Sequence, residues 1–418
     1  MARGRPVTDV TRTVDAIWRI ESRRIVGALA RMTGDLGLAE DLAQEAVADA
    51  LVQWPESGVP DNPGAWLTAV AKRKAIDGWR RRERLDERYR AIAHDLEEAV
   101  DDSPELIHDD ALRLIFTACH PVLGPEAQVA LTLRVVGGLS TEELARLFLV
   151  PVPTMQQRIV RAKKTLTAAR VPFEAPAPTQ WAARLSTVLG VIYLVFSEGY
   201  SATSGDRLIR TDLAREALRL GRALAGLLPR EPEVHGLVAL MELQSSRFRA
   251  RVADDGSAIL LDDQDRSRWD AAHIRRGREA LARADALGQG RASYSLQAAI
   301  AEAHAVAPSV DETDWERIVV LYEALGRLNP NPVVELNRAI AVSKAVDPEA
   351  GLQIVDTIAR DDALRGSYLL PSVRGELLAQ LGRIEEARSE FTTAVRLVTN
   401  EQQRAVLVAK LERLAPLS

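Results

Sequence analysis

Wherever apolar residues recur regularly in this chain they recur at helical spacing, and strand-like alternation of β-branched residues is hard to find anywhere. A half-buried strand needs a period of two and an amphipathic helix one near 3.6, so this pattern rules out a sheet-based core. Composition points the same way. Ala, Leu, Arg and Glu abound, aromatics make up only 5 %, and those four side chains lose little rotamer freedom in a helix. An all-α protein is expected. Its 418 residues, 47 % hydrophobic and 27 % charged, suit two or three cored domains.

The chain divides on pattern. Residues 10–92 alternate amphipathic helices with short breaks, and residues 93–111, with Asp101, Asp102 and Pro104, read as an acidic, solvated linker. A second helical block covers 112–171. Residues 172–180, with Pro172, Pro176 and Pro178, mark a boundary, because repeated prolines stop helices and favour extended chain. From 181 to 418 the sequence is again helical, with weak repeats from about residue 292. Gly375 in one helix followed by Ala387, Phe391 and Ala394 in the next resembles the tetratricopeptide pattern, in which small residues let helices cross closely and an aromatic fills the groove. WERIVVLYEALGRLNPNP puts Trp315, Tyr322 and Leu325 on one face, and DPEAGLQIVDTI reads as a degenerate second helix. An irregular bundle with Ala-rich crossings is the alternative.

The net charge of −5 argues against a stand-alone nucleic-acid binder. It hides local basic clusters, Arg80, Arg81, Arg82 and Arg84, then Arg158, Arg161, Lys163 and Lys164. Such patches in an acidic chain suit a protein that holds DNA together with a partner. Cys119 is the sole cysteine, which excludes an intramolecular disulfide and a cysteine-rich zinc site. The N-terminal MARGRPVTDVTRTVD lacks the apolar core of a signal peptide. The most apolar stretch, Val188 to Phe196, is far shorter than the roughly 20 residues of a membrane span. A cytoplasmic protein with no membrane partner is expected.

In the second block, GLSTEELARLFLVPVPTMQQRIVRAKKTL, Ser140 or Thr141 can cap a helix with Glu143 in its first turn. Leu144, Ala145 and Phe148 supply a buried face. A break at Val150 and Pro151 precedes a helix starting near Pro153 and Thr154, where proline is tolerated in a first turn. There Met155, Ile159, Ala162 and Leu166 face inward, leaving Gln156, Gln157, Arg158, Arg161 and Lys163 outward. That is the layout of a helix-turn-helix, with glutamine and arginine suited to base edges and lysine to phosphate. Two packed helices with a solvated basic face would give the same pattern.

In the first block, GLAEDLAQEAVADALVQW carries an acidic edge of Glu40, Asp41, Glu45 and Asp49. After the turn-rich WPESGVPDNP, the helix AWLTAVAKRKAIDGWRRRERLD interleaves Trp66, Leu67, Val70, Ile76 and Trp79 with Lys72, Arg73 and Lys74. Charge for backbone and flat rings for unstacked bases are what a surface needs to hold a separated strand. Core packing is an equally good reading of Trp66.

AEDLAQEAV resembles region 2 of the extracytoplasmic-function sigma factors, whose acidic-Asp-x-x-Gln core lies there; AWLTAVAKRKAIDGWRRRER resembles the helix that follows, and LSTEELARLFLVPVPTMQQRIVRAKKTL resembles region 4. The resemblance covers Ile20 to Arg170. Many family members have Gly at Leu149, Gly at Pro153 and Ser at Gln157; this wording, with FTACHP (Phe116 to Pro121) and EGYSATSG (Glu198 to Gly205), resembles a long-tailed subgroup with a tetratricopeptide-like extension.

The resemblance implies a sigma factor, not an enzyme, that needs no cofactor and binds core RNA polymerase at the β′ clamp helices and β flap. Glu40, Asp41, Gln44 and Glu45 would contribute to polymerase binding; otherwise that edge is a solvated face. Ser57, Asn62, Trp66, Lys72, Arg73, Arg80 and Arg81 would lie along the −10 path, where a base is captured by flipping. Thr154, Gln156, Gln157, Arg158, Arg161 and Lys163 would read the −35 element of promoter DNA. The tail would be a built-in regulator in contact with the sigma domains. The alternative is a helix-turn-helix activator with a repeat sensor, which leaves the first block without a role.

Cys119 and His120 give too few ligands for a closed zinc site and read as a packed helix end before Pro121. EGYSATSG lacks the Lys and strand context of a nucleotide loop and reads as a turn. His235, His273 and His304 show no metal-ligand spacing.

Overall fold

The computed structural model describes residues 7–82, 104–148, 150–200, 211–253, 259–359, 364, 366–398 and 401–414. Among them the regular elements are helices, apart from one isolated bridge at Val252. The chain forms two compact units, Met1–Leu194 and Val195–Ser418.

In the first unit, α1 (Val7–Thr33) buries Val10, Val14, Trp18, Ile25 and Leu29 along one stripe. Gly34, at φ +67°, ends it by taking the left-handed backbone that costs glycine nothing. Asp35 then caps α2 (Leu36–Ser57), its carboxylate accepting from the Leu38 N–H at 3.0 Å. The sequence suggests a loop from Trp54 onward, but α2 runs through Pro55. Proline so near the end removes little from the ladder, and the helix stops where Gly58, at φ +82°, donates to the Trp54 carbonyl. α3 (Pro63–Arg82) packs on α1 and α2 through Leu67, Ala71 and Ala75.

α4 (Pro104–Ala118) begins inside the stretch read as solvated linker. Pro104 suits a first helical position, and Asp110, far from being solvated, is buried with its carboxylate on Arg31 at 2.9 Å. α4 lies against α1 and α5 (Pro125–Val135), and α5, α6 (Thr141–Leu147) and α7 (Val152–Ala168) pack on one another. After α7 the chain is extended and mostly exposed through the proline-rich segment, as its sequence requires.

A helical run follows at Pro178–Tyr200, a short 3-10 turn leading into α8 (Trp181–Tyr200). The apolar stretch noted in the sequence, Val188 to Phe196, is thus part of a 23-residue run containing an 18-residue window of mean hydropathy 1.2, long and apolar enough by composition to cross a membrane. It carries Arg184 and Glu198 and buries Leu185, Val188, Leu189, Ile192 and Phe196, the pattern of a core helix.

In the second unit, α9 (Thr211–Leu227) lies against α10 (Pro232–Ser245), which is buried almost throughout, and α11 (Ala271–Ala286) and α12 (Ser293–Val306) also pack on α10. Gly236 permits the crossing with α12, since a Cβ there would sit 2.4 Å from Ser295 Oγ. From α13 (Trp315–Leu328) through α14 (Pro332–Ala345), α15 (Pro348–Ile358), α16 (Leu369–Gln380), α17 (Ile384–Leu397) and α18 (Glu401–Arg413), each helix packs chiefly on its sequence neighbours. This is the quasi-one-dimensional pairing of stacked helical repeats. Gly375 of α16 faces the Phe391 ring of α17, with Ala387 and Ala394 buried beside it.

Candidate nucleic-acid and polymerase interface

The helix-turn-helix is built from local rules. Ser140 and Glu143 form a complete capping box, with Glu143 N–H donating to Ser140 Oγ at 3.1 Å and Ser140 N–H to the Glu143 carboxylate at 2.8 Å. Leu144 and Ala145 are buried and Phe148 is half-buried, while Leu149 lies outside the described residues. α7 starts at Val152, slightly earlier than its sequence suggests, with Pro151 as N-cap. Met155, Ile159, Ala162 and Leu166 are all buried, so the rest of the helix must face out. Thr154, Gln156, Gln157 and Arg161 are indeed exposed. Thr154, Gln157, Arg158 and Arg161 line a cavity of about 520 Å³ against residues 122–127. There Arg158 is engaged by Glu126, in the first turn of α5, at 2.7 Å.

Lys163 behaves differently. Its side chain is only 12 % exposed and points at the first block, with Nζ 2.7 Å from Glu40 and 2.5 Å from Asp41. Burial alone would lower its pKa, but the two carboxylates outweigh burial and raise it. Glu40 is the most enclosed member of the acidic edge at 4 % exposure, and its other oxygen takes Arg134 Nε at 2.8 Å. A further link joins Thr167 Oγ1 to Asp35 at 3.0 Å. No sequence signal connects residues this far apart in the chain, and neither Arg134 nor the Lys163 contact is legible before folding.

The rest of the acidic edge is more open. Asp41 and Glu45 are exposed, and Gln44 is half-buried with its amide nitrogen lacking a hydrogen-bond partner. Lys74 of α3 spans Asp49 at 3.0 Å and Glu45 at 3.5 Å, and the Asp49 hydrogen bond leads in raising its pKa. Along the loop and α3, Ser57 is exposed and donates to the Gln53 carbonyl. Asn62 is exposed too, but its Oδ1 accepts from the Ala65 N–H at 3.1 Å, so it serves as a cap of α3 whatever else it does. Trp66 is half-buried and meets the buried Trp54 edge-on at 5.3 Å, which gives it a packing role. Lys72 is half-buried and Arg73 exposed; the side chains of Trp79, Arg80 and Arg81 lie outside the described residues.

The motifs set aside in the sequence are structural where they can be seen. Cys119 is buried against Thr132 Oγ1 at 3.2 Å, and burial pushes its thiol up to about 11, so it is an inert core residue. Trp181 and Arg184 of α8 pack on the same helix end: the indole meets the Phe116 ring at 5.1 Å, and the guanidinium donates to the Phe116 carbonyl at 2.6 Å. Of EGYSATSG, residues 201–205 lie outside the described residues. His273 approaches Glu242 at 2.7 Å, and among the described residues no cluster of metal-ligating groups occurs.

Comparison with known proteins agrees with this geometry. The sigma-70 region 2 family matches residues 17–85, sigma-70 region 4 matches 113–166, and a family of unknown function, DUF6596, matches 184–285. An uncharacterized protein of Rhizobium meliloti (strain 1021) is 45 % identical over 404 residues, 93 % of each chain. The probable ECF RNA polymerase sigma factor SigI of Mycobacterium tuberculosis is 31 % identical over 163 residues, 38 % of this chain and 56 % of that one. The ECF RNA polymerase sigma factor SigE of Mycolicibacterium smegmatis is 30 % identical over 155 residues, 36 % of this chain and 59 % of that one. The chain therefore belongs to the extracytoplasmic-function sigma factors of the sigma-70 family, in a long form that carries a DUF6596 segment and further helices after region 4.

Proposed function

We propose that this protein binds core RNA polymerase in the cytoplasm and directs it to a class of promoters, reading −35 with α7 and opening −10 with the Gly58–Asn62 loop and α3. The observation that carries the reading is the exposed row Thr154, Gln156, Gln157 and Arg161 on the second helix of a capped helix-turn-helix, in a chain whose preceding block matches region 2. Arg158 joins the −35 set through its exposed edge, and Lys163 joins it once released from Glu40. Asp41, Gln44 and Glu45 are assigned to the β′ clamp helices, region 4 to the β flap, and Ser57, Asn62, Trp66, Lys72, Arg73, Arg80 and Arg81 to the −10 strand. In this assignment the polymerase performs the chemistry and the chain supplies promoter choice.

The helices after residue 180 are assigned a regulatory role within the same chain. What supports it is the anchoring of α8 on the helix end of α4 through Trp181 and Arg184. Run-off transcription with purified core polymerase, this protein and DNA from upstream of its gene tests the first reading. A specific transcript that requires the protein is expected, whereas polymerase-independent binding to duplex promoter DNA, without core binding, would favour an activator instead. A chain ended between residues 201 and 210 keeps that anchor and tests the second. Transcription should change severalfold, and unchanged activity of a folded truncation would refute the regulatory role.

A further inference from the structure

One end of the acidic edge of α2, at Glu40, is occupied. Glu40 is 4 % exposed, yet its carboxylate is satisfied from the second block, by Arg134 of α5 and Lys163 of α7, whose side chains are 11 % and 12 % exposed. Lys163 also bonds Asp41, Thr167 of α7 meets Asp35 at the start of α2, and Gly37 lies directly beneath the Lys163 side chain, where a Cβ would come within 3.4 Å of Lys163 Cβ. The side-chain bonds joining α2 and α7 here are polar, with the apolar Leu36 and Leu166 lining one cavity beside them. An apolar face would hold two elements together permanently. Carboxylates facing ammonium and guanidinium groups can be parted, since each has an alternative partner in water, in phosphate or on another protein.

We propose that α7 is an intramolecular occupant of one end of the polymerase-binding edge: the uncomplexed chain closes Lys163 of its −35-reading helix onto Glu40 and Asp41, so that Lys163 of the one surface and Glu40 of the other are withheld together. This rests on the sigma-factor reading given above. Lys163 cannot hold a DNA phosphate while it sits between two carboxylates, because those carboxylates repel the phosphate. Nor can Glu40 face polymerase while Lys163 and Arg134 cover it, although Asp41 stays exposed beside it. Opening therefore frees Lys163 and Glu40 together. Whichever partner binds first removes the cost of opening for the other, so core polymerase and −35 DNA bind this chain cooperatively. The basic character of the occupant is the specific requirement. Phosphate draws Lys163 away, and a basic polymerase surface takes its place on the carboxylates.

The test locks the contact in the full chain. Cysteines at Gly37→Cys and Lys163→Cys would have Cβ atoms close to disulfide distance, and the buried Cys119 offers no competing thiol. Oxidised, this chain should bind core polymerase about tenfold more weakly than the same chain after reduction, and the reduced form should bind within about twofold of Lys163→Cys alone. A second variant, Arg134→Gln, changes none of the residues assigned to promoter DNA or to the β′ clamp helices and should tighten core binding about threefold by loosening the hold on Glu40, while loss of its bond to the Leu139 carbonyl is read separately as a lower thermal midpoint. Failure of the cysteine pair to oxidise, or equal core binding in the two redox forms, would overturn the closed state while leaving the sigma reading intact. If the unsubstituted chain does not bind core at all, the sigma reading falls and the closed state falls with it.

Discussion

Glu242 is the sharpest place to test whether the second unit is held together as its geometry implies. The residue is 1 % exposed on the central helix α10, and its carboxylate accepts from Arg222 Nε at 2.9 Å, His273 Nδ1 at 2.7 Å and Arg276 Nε at 3.2 Å. Burial alone would raise its pKa, but His273, Arg222 and Arg276 outweigh burial and hold the group below its ordinary value of 4.5. In Glu242→Gln the oxygens no longer carry charge and one becomes a donor facing donors. Charge-assisted hydrogen bonds contribute about 1.5–3 kcal/mol each when enclosed. Here the side chains of Arg222 and Arg276 are 47 % and 37 % exposed and can rehydrate, so we count about 1 kcal/mol per partner, or about 3 kcal/mol in all. Hydrogen exchange of peptides over residues 232–245 is the assay, because it isolates this helix within a two-unit chain. A loss of about 3 kcal/mol speeds exchange about 150-fold at pH 7. The sign with pH follows from the depressed pKa. The native carboxylate stabilises fully above the unfolded value of 4.5 and loses that contribution as pH falls through the lower folded value. The difference between variant and parent should therefore be complete at pH 7 and shrink below pH 4.5. Equal exchange at pH 7, or a difference that persists undiminished at pH 3, would refute the reasoning.

Ser140→Ala removes the bond to the Glu143 N–H and should cost about 1 kcal/mol of helix-turn-helix stability, read as a lower thermal midpoint and weaker −35 duplex binding. Gly236→Ala places a Cβ 2.4 Å from Ser295 Oγ and 2.8 Å from its backbone nitrogen, so the α10–α12 crossing must open; about 1–3 kcal/mol of lost stability in urea unfolding is expected. Cys119 should resist alkylation at pH 8 in the native chain and react at an ordinary rate only in denaturant, since its thiol titrates near 11; rapid native labelling would contradict its burial. Arg158→Ala should relax base preference at one −35 position by about 1–3 kcal/mol, whereas Lys164→Ala should weaken all sequences alike and flatten the salt dependence.

What could be read before folding was whatever depends on short-range spacing. The buried stripe Met155, Ile159, Ala162 and Leu166 follows from helical period, and the Ser140 cap from its distance to Glu143. The crossing of Gly375 with Phe391 lies between adjacent helices, and it too was legible. The misread segments are those where a local signal loses to long-range partners. Residues near Asp110 look like solvated linker because they are acidic, but Arg31, distant in sequence, gives that acid a buried partner. Pro55 looks like a helix stop, yet the end of a helix tolerates it.

The two buried glutamates show why charge alone does not separate a scaffold from a contact that must open. Glu242 is ringed by Arg222 of α9 and by His273 and Arg276 of α11, all of its own unit, and nothing in the proposed activity calls any of them elsewhere. Glu40 is satisfied by cations of the other block, one of which, Lys163, sits on the helix assigned to promoter DNA. Removing either carboxylate leaves cations without their partner, so both substitutions destabilise the isolated chain. Their effects on binding diverge. Loss of the Glu242 contacts should leave core affinity unchanged as long as the second unit stays folded. Loss of the Arg134 contact to Glu40 should raise that affinity while lowering stability, because it weakens only the closed state. A substitution that destabilises a protein yet tightens its binding marks a contact that competes with the partner, and that opposite sign is what a purely structural ion pair cannot produce.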